Sequence, residues 1–158
     1  MAEYSANAVQ TLQPGGFAVF TATAVPCYMG LIQHEDETPL FSLKGWRPNN
    51  GCCCNANKSV MYDVSVNMNV ALSEGATVAP ISVALAIGGI AYPLSEMDST
   101  PAAAQEFNHI GTELSIPILN GCCQYVAVQN TSAQPIDVKN LVIKFNRPDL
   151  KGGSESGR

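Results

Sequence analysis

Charge is what this sequence has least of. Only 13% of its 158 residues are Asp, Glu, Lys or Arg, about half the usual share of a soluble globular domain. Between Lys58 and Lys139 there is no Lys or Arg at all. A groove that tracks phosphates needs several cations, which argues against nucleic acid as a partner. Lys144, Arg147 and Lys151 are too few for a polybasic membrane anchor. No apolar run approaches the roughly 18 residues of a membrane-spanning helix. At the N-terminus Glu3, Asn7 and Gln10 interrupt any stretch of signal-peptide character. The expectation is synthesis in the cytosol with no membrane partner.

The side chains that run most enzyme chemistry are also scarce. The only histidines are His34 and His109, and neither lies in a nucleophile-elbow or cysteine-protease pattern. His34 precedes the acidic run Glu35 to Glu37 and reads as a solvated residue; His109 reads as a capping or surface residue. A cupin-like metal barrel would need two or three spaced histidines. The acidic run suits a hard cation in principle, but its ordinary role is a solvated loop. Pro14, Gly15 and Gly16 lack the spacing and the lysine of a phosphate loop. These absences predict no enzyme and no cofactor. Trp46, the single tryptophan, reads as core, with a sugar-stacking platform as its alternative.

What the chain does have is six cysteines in an unusual arrangement: Cys27 alone, Cys52, Cys53 and Cys54 after Gly51, and Cys122 and Cys123 after Gly121. Zinc sites typically pair cysteines two residues apart, a spacing missing here, although Cys52 and Cys54 with Cys122 or Cys123 would supply ligands if the loops met. Disulfides between loops or subunits and reduced, packed thiols remain two open readings. Neighbouring cysteines rarely bond each other, because the intervening peptide would be strained. All but Cys27 sit at expected strand entrances.

Strands dominate the pattern. From Val60 to Leu72 apolar residues alternate with Asp63, Ser65, Asn67 and Asn69, a period of two that predicts a half-buried strand. Thirteen residues exceed the usual strand and predict a bend or a crossing between sheets. Ile81 to Ile87 alternates likewise; Gly88 and Gly89 predict a tight hairpin turn into Ile90 to Leu94. Further strands are predicted at 4–12, 17–25, 41–46, 113–119, 125–129 and 136–145, and a short helix over Thr100 to Phe107. The reading is an all-β jelly-roll sandwich of about eight to ten antiparallel strands over residues 1–148, followed by a flexible polar tail, 149–158. The small neutral faces at Ala6 and Ala8, beside Tyr4, and at Ser82, Ala84 and Ala86 are poorly suited to water. They predict burial against a second copy, since solvated strands usually carry charge.

The stretch from Tyr4 to Gly16 (YSANAVQTLQPGG), then Phe20 and Thr21, Gly51 to Cys54, and Gly121 to Cys123 before Tyr125, resembles a group of small proteins of Firmicutes phages and prophages. The strand order also looks like the jelly roll of tumour-necrosis-factor-type trimers and of globular heads on bacterial spore filaments. The collagen repeat of those filaments is missing from this sequence. The phage resemblance implies a virion structural protein, a head decoration or head fibre displayed as a homotrimer. It would assemble in the bacterial cytoplasm and contact the major capsid protein or another virion protein. The runner-up is a receptor- or glycan-binding adhesion module, holding a host surface glycan through loops near Trp46 and the acidic run.

Overall fold

The computed structural model describes residues 1–27, 30–45, 59–119 and 123–148. Trp46, Cys52, Cys53, Cys54, Cys122 and the tail 149–158 lie outside the described residues. Among the described residues, twelve strands form two six-stranded antiparallel sheets. The first sheet runs in the order β10 (Asn108–Leu119), β6 (Ser59–Leu72), β12 (Ile136–Asn146), β1 (Ala2–Ala6) and β3 (Ala22–Val25), with β2 (Gln10–Leu12) also on β12. The second runs β4 (Ile32–His34), β5 (Phe41–Lys44), β11 (Cys123–Asn130), β7 (Ile81–Ile87) and β8 (Ile90–Ala91), with β9 (Met97–Ser99) also on β7. Sequence neighbours are thus split between layers, the mark of a jelly roll.

Period two decides which residues become core. Along β6, Val60, Tyr62, Val64, Val66, Met68, Val70 and Leu72 point between the sheets and are buried. Val83 and Leu85 of β7 and Val126 and Val128 of β11 meet them from the other layer. Gly88 and Gly89 adopt φ of 62° and 83°, the left-handed pair that a two-residue hairpin demands.

Length did not force β6 to change sheets. It stays in the first sheet throughout, paired with β10 on one side and β12 on the other. The irregularity falls on β12, whose register shifts between Lys139 and Val142, with Asn140 at φ 52°. The same place interrupts the predicted strand 4–12: β1 pairs with 141–145 of β12 and β2 with 136–138. One bulge thus makes two short strands from one apolar run.

The helix predicted over Thr100 to Phe107 is not formed. Gln105 takes φ of 64°, its backbone N–H donates to the Leu72 carbonyl at 2.9 Å, and its side-chain amide reaches Leu72 and Asp137. Tertiary hydrogen bonds to the end of β6 outcompete a short helix with no packed face. Among the described residues no helix is long and apolar enough to cross a membrane.

Candidate functional site

The sandwich has two open sides, where an edge strand of one sheet faces an edge strand of the other, and they differ in chemistry. On one side β10 faces β8 and the 3-10 turn Pro93–Ser95. A groove of about 570 Å³ runs there, lined by Ile87, Ile90, Ala91, Tyr92, Pro93, Ile116, Pro117, Ile118, Leu119 and Gln124. None of these carries a charge. Ile90 and Leu119 in this lining, with nearby Leu94, are 76%, 57% and 77% exposed. Large aliphatics gathered in one place on a surface mark an interaction site more often than scattered ones do.

On the other side β3 faces β4 and β5 across a polar cleft of about 640 Å³. Its lining includes Tyr4 and His34 from between the sheets and Gln33, Ser42 and Tyr125 from the outer face of the second sheet. Gln33 is paired with Ser42 and Ser42 with Tyr125, so amide, hydroxyl and phenol form a row across three strands. His34 is not the solvated residue expected from its acidic neighbours. Its ring stacks on Phe41 at 4.2 Å between centroids, and its nitrogens lie 3.0 Å and 3.4 Å from the carbonyls of Leu40 and Phe20. Tyr4, Phe20, Phe145 and Phe41 complete this aromatic cluster. In the acidic run, Asp36 accepts a hydrogen bond from Thr23.

Tyr4 is the anomaly of the cleft. It is only 3% exposed, and burial pushes its phenol up to about 12, with the Cys27 sulfur and the Asp36 carboxylate adding to the rise. The hydroxyl is therefore protonated at neutral pH and able to donate. Among the described residues it makes no hydrogen bond, an omission that costs about 1–3 kcal/mol for a buried polar group. The fold provides for other buried polar side chains. The Asn130 amide donates to the carbonyls of Leu12 and Gln134 and accepts from Ser132 N–H, and the Ser95 hydroxyl accepts from Leu85 N–H at 2.8 Å.

The residues expected at an oligomer face are placed differently by the structure. Tyr4 and Ala6 point into the chain's own core, because the apolar set of β1 is the inward set. Ala84 and Ala86 are 2% and 1% exposed within one chain. Strand β7 lies between β11 and the pair β8 and β9, so a methyl group there sits below its neighbours and has little surface to offer. The Ser82 hydroxyl is engaged with Glu96 and Thr131. Of the six, Ala8 alone is exposed. The sequence pattern missed Ile90 and Leu119, which lie at strand ends, and Leu94, which lies in the 3-10 turn; in each place alternation is too short to read.

Of the cysteines, Cys27 borders the cleft, where its sulfur accepts from Ile32 N–H at 3.3 Å. Cys123 is exposed at the start of β11, and the two are not bonded to each other. Among the described residues no three His, Cys, Asp or Glu side chains gather as a metal-binding group. His109 is exposed on β10 opposite Asn69.

No family model matches this chain, and no curated protein matches it. Solved structures do. The chain is similar to Eiger TNF from S. frugiperda, at 11% identity and a TM-score of 0.63, covering 92% of this chain and 90% of that one. It is similar also to the globular domain of zebrafish complement 1qA protein, at 11% identity and a TM-score of 0.57, covering 92% of each chain. A family 35 carbohydrate binding module from Clostridium thermocellum aligns at a TM-score of only 0.35, which carries no argument. At such identities the likeness is one of fold: the chain has a jelly-roll fold like that of these two domains.

Proposed function

We propose that this chain is a non-enzymatic virion protein of a phage, displayed on the particle as a homotrimer that decorates the capsid or forms a head fibre. It would assemble in the bacterial cytoplasm and stand at the virion surface afterwards. The observation that carries self-association is the uncharged groove between β10 and β8, with Ile90, Leu94 and Leu119 standing out of it. Fully burying side chains of this size is worth about 1.5–3 kcal/mol each, and the outer face of β6 offers the neutral Ser65, Asn67 and Asn69 as a counterpart, with Glu113 and Lys144 beside Ser65 and Lys139 beside Asn69 at its rim. A groove meeting a different face is a heterologous contact, which closes as a ring when the rotation permits. The virion setting draws on the resemblance of the 4–16 stretch and the Gly-Cys loops to phage proteins, and a contact with the major capsid protein would use surfaces the ring leaves outward.

Light scattering on the purified chain tests the assembly, with co-sedimentation on capsids testing the setting. The expected result is a mass of three chains that sediments with capsids, and a single-chain mass with unchanged β circular dichroism for the Ile90→Asp, Leu119→Asp double variant. A native chain that is monomeric, or a double variant that keeps its mass, ends the reading. An adhesion module of tail or spore-surface type is the second reading, and the polar cleft on the other side of the sandwich favours it.

A further inference from the structure

We propose that the cleft between β3 and β4–β5 is a binding site for an uncharged oligosaccharide, with Tyr125 on the outer face of the second sheet as the platform for the apolar face of one sugar unit and the Tyr4 hydroxyl, between the sheets, as a hydrogen-bond donor to another. This deepens the adhesion reading and is independent of the trimer and of the capsid, since the apolar groove lies on the far side of the sandwich.

Three observations lead to the sugar. The first is Tyr4 itself: a polar group taken out of water is normally paired, and this one lines a cleft with no partner among the described residues. A ligand hydroxyl would supply the missing acceptor. The second is charge. Among the described residues no Lys or Arg lines the cleft, whereas Glu35 does and Asp36 lies beside it on Thr23. Two carboxylates with no lysine or arginine to offset them disfavour a phosphate or carboxylate ligand there. The third is the row of Gln33, Ser42 and Tyr125, in which Tyr125 is 54% exposed. A pyranose ring has one face of C–H bonds and a rim of hydroxyls, each both donor and acceptor. An aromatic ring flanked by an amide and a hydroxyl matches both features at once, as an amphipathic aromatic does at other half-wet interfaces.

The test is titration by NMR with a panel of uncharged oligosaccharides containing glucose, galactose, mannose or N-acetylglucosamine, on the native chain and on Tyr4→Phe and Tyr125→Ala. At least one sugar should bind with a dissociation constant below about 10 mM, shifting signals of Gln33, Ser42 and Tyr125. Tyr4→Phe should weaken that binding by about five- to tenfold while leaving the melting temperature unchanged or raised. Tyr125→Ala should weaken it at least as much. No binding across the panel overturns the proposal, as does binding that both variants retain. Retention on host cells that survives both substitutions would leave adhesion standing and place it elsewhere, which also overturns the cleft as its site.

Discussion

Asp137 and Tyr4 are both polar side chains that folding removes from water, at 9% and 3% exposure, and the protein provides for them in opposite ways. Asp137 lies on β12 and accepts hydrogen bonds from Thr11 at 2.7 Å, Ser73 at 2.8 Å and Gln105 at 2.9 Å. Those donors come from β2, from the turn after β6 and from the 101–107 segment, so one carboxylate gathers pieces of chain far apart in sequence. Tyr4 gathers no hydrogen bond among the described residues: its ring packs against Phe41, His34 and Phe145, and the residue lines the cleft. A buried polar group with its partners inside the fold is part of the structure. One whose partner is missing inside the fold marks where something outside it belongs.

The largest effect expected from this comparison is at Asp137. Replacing it by Ala takes a shared acceptor from three donors, of which Thr11 and Gln105 are exposed and Ser73 half-buried, and should cost about 1–3 kcal/mol of unfolding free energy, read by urea denaturation at neutral pH. Acid should reveal the same group. Burial alone would push the Asp137 carboxyl up, but the hydrogen bonds from Gln105, Thr11 and Ser73 outweigh it and hold the group below its ordinary value. A carboxyl lowered on folding contributes stability that is complete above its unfolded value, near 3.9, and that is lost as pH falls through its lower folded value. The gap between native chain and Asp137→Asn should therefore be widest at neutral pH and shrink below about pH 4. A constant gap would mean that the carboxylate is not the form being held.

Tyr62 lies between the two extremes. It is fully buried on β6, and its hydroxyl donates to the Lys44 carbonyl at 2.5 Å, with the Leu31 carbonyl at 3.3 Å. The bond ties the first sheet to β5 and to the residue preceding β4. Tyr62→Phe keeps the ring and removes the hydroxyl that makes this tie, so the expected loss is at least about 1 kcal/mol, a typical net hydrogen bond. A loss as large as that of Asp137→Ala would show that more than one bond depends on the hydroxyl.

The jelly roll was legible in the sequence where alternation is long. Val60 to Leu72 and Ile81 to Ile87 have enough turns of the period to separate two faces, and Gly88–Gly89 is one of the few compositions that suit its turn. Strands β4 and β9, three residues each, were not legible, because they are strands only by virtue of pairing with β5 and β7. Alternation also fails where both faces are apolar or small. In Tyr4, Ala6 and Ala8 the period separates faces without saying which is inside, and in Ala84 and Ala86 it cannot show that neighbouring strands stand higher than a methyl group. The apolar groove depends on β8 and β10 arriving side by side from 17 or more residues apart, and the cleft on β1 lying under β4. Neither proximity has a local signal.

Tyr4→Phe should be the smallest effect on stability and the most informative one. If the Tyr4 hydroxyl had a partner within the fold, its removal would cost about what Tyr62→Phe costs. Because it has none among the described residues, its removal should change the unfolding free energy by less than about 0.5 kcal/mol, or raise it, since a buried polar atom is exchanged for a hydrogen at no loss of packing. Urea denaturation of Tyr4→Phe and Tyr62→Phe side by side makes the comparison within one residue type and one pair of sheets. A loss at Tyr4 equal to that at Tyr62 would assign its oxygen to the structure and remove the reason to look for its partner in a ligand.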